Sequence, residues 1–137
     1  MNEINFLTLA EVIDIHHDQI SRYGGQPGIR DRGLLESALA MPEASFAGVY
    51  FHADLFTMAA AYAFHICKNH SFIDGNKRTA LVCALVFLEL NGITLEDPRG
   101  ILYNAMMDIA SGKSDKYRLA AILRRLAGDG QEETLPD

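Results

Sequence analysis

At 137 residues the chain is sized for one compact domain. Hydrophobic residues make up 49% and charged residues 22%, which supplies a packed core and excludes a globally disordered chain. The net charge of −6 argues against broad nucleic-acid binding, because phosphate backbones demand a basic surface, but leaves room for a local basic pocket.

The first residues, MNEINFLTLAEV, lack a basic start followed by an apolar run, so no secretory signal is expected. Thr8 with Glu11 forms a capping-box pattern and predicts a first helix. Val12, Ile13, Ile15 and Ile20 mark its apolar side, and Gly24-Gly25 its stop. GGQPGIRD reads as a loop. Asp31 caps a second helix through Leu34, Leu35, Ala38 and Leu39, ending before Pro42. From Pro42 to His52, the β-favouring Phe46, Val49, Tyr50 and Phe51 around Gly48 predict a short hairpin or flap. Ala53 to Lys68 is a third, Ala-rich helix whose small side chains allow close packing.

A loop then leads into a fourth helix, Asn76 to Leu90, stopped by Asn91-Gly92. It is apolar on all sides from Ala80 to Leu88 and is expected to be central and buried. That run is too short to span a bilayer and is flanked by Arg78 and Glu89, so no membrane association is expected. Pro98 is expected to open a fifth helix through Leu102, Ala105, Met106 and Ile109. SGKSD is a turn, and a sixth helix runs from Asp115 to Leu126 with a stripe of Leu119, Ile122, Leu123 and Leu126. The expected architecture is all-α: one domain over residues 1–126, about six helices around a central buried one, with a short β-like flap and a disordered tail over 127–137. Cys67 and Cys83 lie in apolar stretches outside any C-x-x-C pair. They read as buried free thiols in a reducing, cytoplasmic setting.

The stretch NHSFIDGNKRTAL, Asn69 to Leu81, concentrates chemistry where the fourth helix begins. A helix start offers unpaired N–H groups and a partial positive charge, and Gly75 lets a ligand approach the backbone. Lys77 and Arg78 oppose the helix dipole there, a cost of some tenths of a kcal/mol each that a bound anion offsets. Together these make an anion site, above all for phosphate. Asp74, the only acid between Lys68 and Glu89, is suited to hold Mg²⁺ beside phosphates. Phe72 would anchor the loop. His70 supplies an imidazole, whose ordinary pKa of about 6.5 suits a general base. The set fits phosphoryl or nucleotidyl transfer, which is mostly positioning and charge stabilisation.

Each residue alone has a plainer reading. His70 serves as a helix C-cap, Asp74 as an N-cap, and Lys77 and Arg78 as a solvated face. The phosphate reading rests on their coincidence. The other histidines carry less: His16 and His17 are adjacent and face different sides, His65 and His70 are five apart, and His52 stands alone. No histidine metal site is read.

HSFIDGNKRTA resembles the signature of the Fic/Doc superfamily. Fic proteins carry H-P-F-x-D/E-G-N-G-R-x-x-R, and the Doc branch H-x-F-x-D-A/G-N-K-R. His70, Phe72, Asp74, Gly75, Asn76, Lys77 and Arg78 match the Doc version at every fixed position. GGQPGIRDRGLLESALAMP, Gly24 to Pro42, is similar to the N-terminal part of Doc-like chains, so the likeness reaches to about Leu126. The resemblance implies a fold of about six helices, ATP and Mg²⁺ as ligands, His70 as the base and Asp74 as the Mg²⁺ ligand. It gives the phosphates to Gly75, Asn76, Lys77 and Arg78. It also makes the flap, with Phe46, Gly48, Val49 and Tyr50, the aligner of the target protein.

Fic enzymes transfer AMP. Doc-type toxins resemble them in fold but move the ATP γ-phosphate to a threonine of elongation factor Tu, which stops translation, and are masked by the antitoxin Phd. Ser71 replaces the Fic proline, Lys77 fills the space of a Fic glycine, and Leu81 replaces the second Fic arginine; the last two changes favour the Doc branch. Val82 stands where some Doc-like chains place a polar residue. The self-inhibiting motif S/T-x-x-x-E-G/N has no match, so an inhibitor is expected on a separate chain. Three functions follow: a Doc-like toxin kinase first, then a Fic-type AMP transferase, then a non-catalytic domain that binds antitoxin and aids operon repression.

Overall fold

The computed structural model describes residues 3–128, so most of the expected tail lies outside the described residues. The chain forms α1 (Leu9–Tyr23), α2 (Arg32–Ala40), β1 (Ser45–Phe46), β2 (Val49–Tyr50), α3 (Leu55–Lys68), α4 (Asn76–Leu90), α5 (Ile101–Ala110) and α6 (Lys116–Leu126). No described helix is long and apolar enough to cross a membrane.

Side-chain caps set several of these boundaries. Thr8 Oγ1 accepts from Glu11 N (3.1 Å) and Glu11 Oε1 from Thr8 N (2.8 Å), closing the expected box. Asp31, Asp54 and Asp115 cap α2, α3 and α6 by accepting from Leu34, Thr57 and Arg118 amides. Pro98 does not open α5. Asp97 does the capping instead: its two carboxylate oxygens accept from Ile101 N (2.8 Å) and Leu102 N (3.0 Å) across a turn closed by Gly100. A carboxylate satisfies orphan helix amides, whereas a proline only lacks one of its own.

The core runs along α3 and α4, which pack on each other. α3 is the more enclosed: Met58 through Ala63 are buried without a break, with Phe56, Ile66 and Cys67. α4 buries Thr79, Ala80, Cys83, Ala84, Phe87 and Leu88 and leaves Leu81, Val82, Leu85 and Val86 half-buried. The central place expected of α4 therefore belongs first to α3. Its alanines let α4 and α6 approach closely, as tight interior packing requires. Both cysteines are buried and free. On α1, Val12 of the expected apolar side is buried and Ile13 and Ile15 pack half-buried on the core, while His16 and Gln19 join the buried stripe.

The hairpin pairs Ser45 with Tyr50 and Phe46 with Val49 around Ala47 and Gly48, both at positive φ (54° and 82°), as a tight two-residue turn demands. Tyr50 packs on Phe6 (5.8 Å between rings), which stacks on Phe87 near the C-terminal end of α4.

Candidate active site

The motif loop, residues 69–75, joins α3 to α4 and is clasped by the α1–α2 loop. Arg30 N and Asp31 N both donate to Ser71 O (2.8 and 3.1 Å), Ile73 N donates to Gly28 O (3.1 Å), and Ile29 forms a bridge with Phe72. Phe72 is 1% exposed, the anchor its sequence position implied. Asn76 ties the loop from the other side, its Oδ1 accepting from Phe72 N and its Nδ2 donating to Phe72 O, both at 2.9 Å. The Asn76 side chain is thus committed largely to the loop.

His70 has an exposed imidazole and a left-handed backbone (φ 50°). Its amide donates to Cys67 O (3.3 Å), so the main chain does close the end of α3. Among the described residues nothing hydrogen-bonds its ring. Its carbonyl accepts from Arg30 Nε at 2.6 Å, and Asn69 O accepts from Arg30 Nη2 at 3.1 Å.

Asp74 is not the cap of α4. That position is Gly75, in the left-handed conformation (φ 76°) with no side-chain bond to the helix. Asp74 instead turns outward, where Oδ2 accepts from Gln26 N (3.1 Å). Among the described residues Oδ1 has no partner. The other five described helices each have a carboxylate or hydroxyl oxygen on a first-turn amide. At α4 the amides of Asn76, Lys77 and Arg78 meet no acceptor among the described residues. A free helix start that carries two cations is a receptor for an oxyanion.

Arg78 is held by α1, its Nη2 donating to Gly24 O (2.9 Å) and its guanidinium lying 5.4 Å from the Tyr23 ring centre. Lys77 is exposed. Both border a cleft of about 180 Å³ between α4 and α5, lined also by Leu81, Tyr103, Met106 and Met107. Among the described residues no three His, Cys, Asp or Glu side chains converge on a metal position. An oxygen-preferring cation at this loop would draw its protein ligand from Asp74 and the rest from phosphate and water, which suits Mg²⁺.

Among the described residues no hydrogen bond or ring contact joins the hairpin to this loop. From Asn76 to Phe87 the helix rises roughly 16 Å, and Tyr50 sits at the Phe87 end. Phe46, Gly48, Val49 and Tyr50 are exposed. The segment beside the motif is Gly24 to Asp31.

Two residues of the site escaped the sequence reading, Arg30 and His16. His16 is 4% exposed, stacks on Phe72 (ring centres 3.8 Å apart, 7° between planes) and bonds Asp74 O through Nε2 at 2.9 Å. Burial lowers its pKa, an effect only partly opposed by that carbonyl. Its position one helical turn after Val12, on the same face, was the signal available.

The Fic/DOC family profile matches residues 6–88. The chain is 38% identical to the protein kinase doc of Escherichia phage P1 over 121 residues, covering 88% of this chain and 94% of that one. It is 36% identical to the toxin Doc of Mycolicibacterium smegmatis over 111 residues, 80% of this chain and 85% of that one. The described helices, the loop at the start of α4 and these matches together establish that the chain belongs to the Fic/DOC family.

Proposed function

We propose that the chain is a Doc-type toxin that transfers the γ-phosphate of ATP to a protein hydroxyl in the cytoplasm. By its resemblance, the acceptor is a threonine of elongation factor Tu and the outcome is arrested translation. The observation that carries the reading is the uncapped start of α4, with the imidazole of His70 and the carboxylate of Asp74 on the loop leading into it.

His70 takes the proton of the acceptor hydroxyl as its oxygen bonds the γ-phosphorus. The bond from that phosphorus to the bridging oxygen breaks, and ADP leaves. The amides of Asn76 and Lys77 and the cations of Lys77 and Arg78 hold phosphate oxygens. Asp74 would hold Mg²⁺, which supplies neutralising charge at the phosphates. Lys77 and Leu81 favour this reaction over AMP transfer, since one fills the space and the other removes the clamp that AMP transfer uses. Control falls to a separate antitoxin chain of Phd type that masks the toxin.

The test offers ATP labelled at the α- or the γ-phosphate, with a bacterial lysate. Label from the γ-position on a protein of the mass of elongation factor Tu is expected; label from the α-position alone overturns the kinase reading in favour of AMP transfer. His70→Ala, which removes an exposed ring that has no hydrogen-bond partner among the described residues, is expected to slow transfer by about 10²–10⁴ while leaving the fold intact.

A further inference from the structure

His16 lies on α1, far in sequence from the motif and outside the signature, yet it is the residue packed beneath the loop. Its ring covers the Phe72 ring, and its Nε2 meets the Asp74 carbonyl. A carbonyl oxygen only accepts, so Nε2 must carry the hydrogen. A Cβ built on Gly75 would lie 3.8 Å from the same nitrogen, so His16 borders the left-handed turn that starts α4. Phe72 is also gripped by Asn76, and the Asp74 carboxylate by Gln26 N. His16 thus touches both the anchor and the main chain of the proposed metal carboxylate.

We propose that His16 is a positioning residue. Through its Nε2–H bond to the Asp74 carbonyl it fixes the peptide between Asp74 and Gly75, and so aims both the carboxylate and the first free amides of α4 at a metal–nucleotide ligand. Resting on the function proposed above, this assigns a supporting role to a residue outside the motif. The Phe72 stack alone is packing. The bond to Asp74 is what a merely structural aromatic cannot supply, and the two separate by substitution. His16→Phe keeps a flat ring over Phe72 and loses the donor; His16→Gln loses the ring and keeps an N–H at similar reach.

The experiment has three readouts. Nitrogen-15 spectra of the parent report the His16 tautomer: hydrogen on Nε2 is expected, and a neutral ring with hydrogen only on Nδ1 overturns the proposal without any variant. Titration calorimetry with Mg²⁺ and a non-hydrolysable ATP analogue is expected to show at least tenfold weaker binding for His16→Phe, with recovery to within about threefold of the parent for His16→Gln. Parent-like binding by a folded His16→Phe overturns it. Amide hydrogen exchange at Gln26, whose N–H is bonded to Asp74 Oδ2, and at Thr79, whose N–H is bonded to Gly75 O, is expected to quicken in His16→Phe and not in His16→Gln. Should the parent bind no Mg²⁺–ATP analogue, the nucleotide reading falls, and the exchange rates alone decide whether His16 holds the loop; unchanged rates refute it.

Discussion

Arg30 grips the carbonyl of His70: its Nε donates at 2.6 Å, while its Nη2 reaches Asn69 O. The grip falls on a residue in the left-handed conformation, which costs a non-glycine residue roughly 1–2 kcal/mol. The guanidinium offsets that cost and sets where the imidazole stands. Arg30→Met keeps the side-chain length and loses both donors. Losing a charge-assisted bond of roughly 1.5–3 kcal/mol predicts a ten- to hundredfold fall in transfer rate. Arg30→Lys should restore little, since one ammonium cannot span two carbonyls as the planar fork does. Steady-state rates beside thermal melts check it, and a parent-like rate for Arg30→Met would remove Arg30 from the site.

Lys77 is exposed at the mouth of the α4–α5 cleft. As a surface lysine its loss would change stability by under about 0.5 kcal/mol and nothing else. As a phosphate ligand its loss costs about ten- to hundredfold in ATP affinity or rate. Lys77→Gly is expected to show the second effect and, by reopening space, a trace of α-label transfer. Unchanged γ-label transfer by the folded variant would return Lys77 to the solvated surface.

Stability should depend on pH through a cluster away from the site. Burial, with the neighbouring charges of Lys116 and His52, holds the His65 imidazole down to about 4, and Lys116 Nζ lies 3.0 Å from its Nε2. An unfolded histidine titrates near 6.5. Between these values the unfolded chain binds more protons, so stability rises with pH across that window. The full contribution is present above about 6.5 and is lost as pH falls toward 4. Solvent screens part of it, because the ring is only half-buried. Urea midpoints of the parent and His65→Gln, measured from pH 4 to 7, should converge at the acid end; parallel curves would contradict the assignment.

Thr79 is fully buried on α4, and its hydroxyl has no partner among the described residues. An unsatisfied buried polar group costs about 1–3 kcal/mol, and valine has the same shape without it. Thr79→Val is therefore expected to raise the unfolding free energy by about 1 kcal/mol with an unchanged denaturant slope. A loss of stability would mean the hydroxyl is bonded in solution.

What the sequence disclosed was local. Thr8, Asp31 and Asp115 announce helix starts because a cap acts within three residues. The motif was legible because its residues are contiguous. His16 and Arg30 were not, for they bond carbonyls 58 and 40 residues away, and a periodicity reading sends a polar helix residue to solvent. The rank of α3 was hidden by its alanines, which score as mildly apolar yet permit the closest approach. The hairpin's shape was read correctly as well. One unbroken helix of 14 residues separates it from the motif loop and spans roughly 21 Å.

The clasp around the motif loop is made mostly by main-chain atoms: Gln26 N, Gly28 O, Arg30 N and Asp31 N are the contacts, whichever side chains those residues carry. Drift at Gln26 therefore leaves this frame intact so long as the backbone path holds. Gly28 has no such latitude, since a Cβ there would come within 3.0 Å of Ile73 Cδ1 at a φ of 120°. Lineages that diversify this segment should vary Gln26 while inheriting that glycine together with Arg30 and Asp31, and libraries built on this segment can randomise Gln26 without dismantling the loop that carries His70.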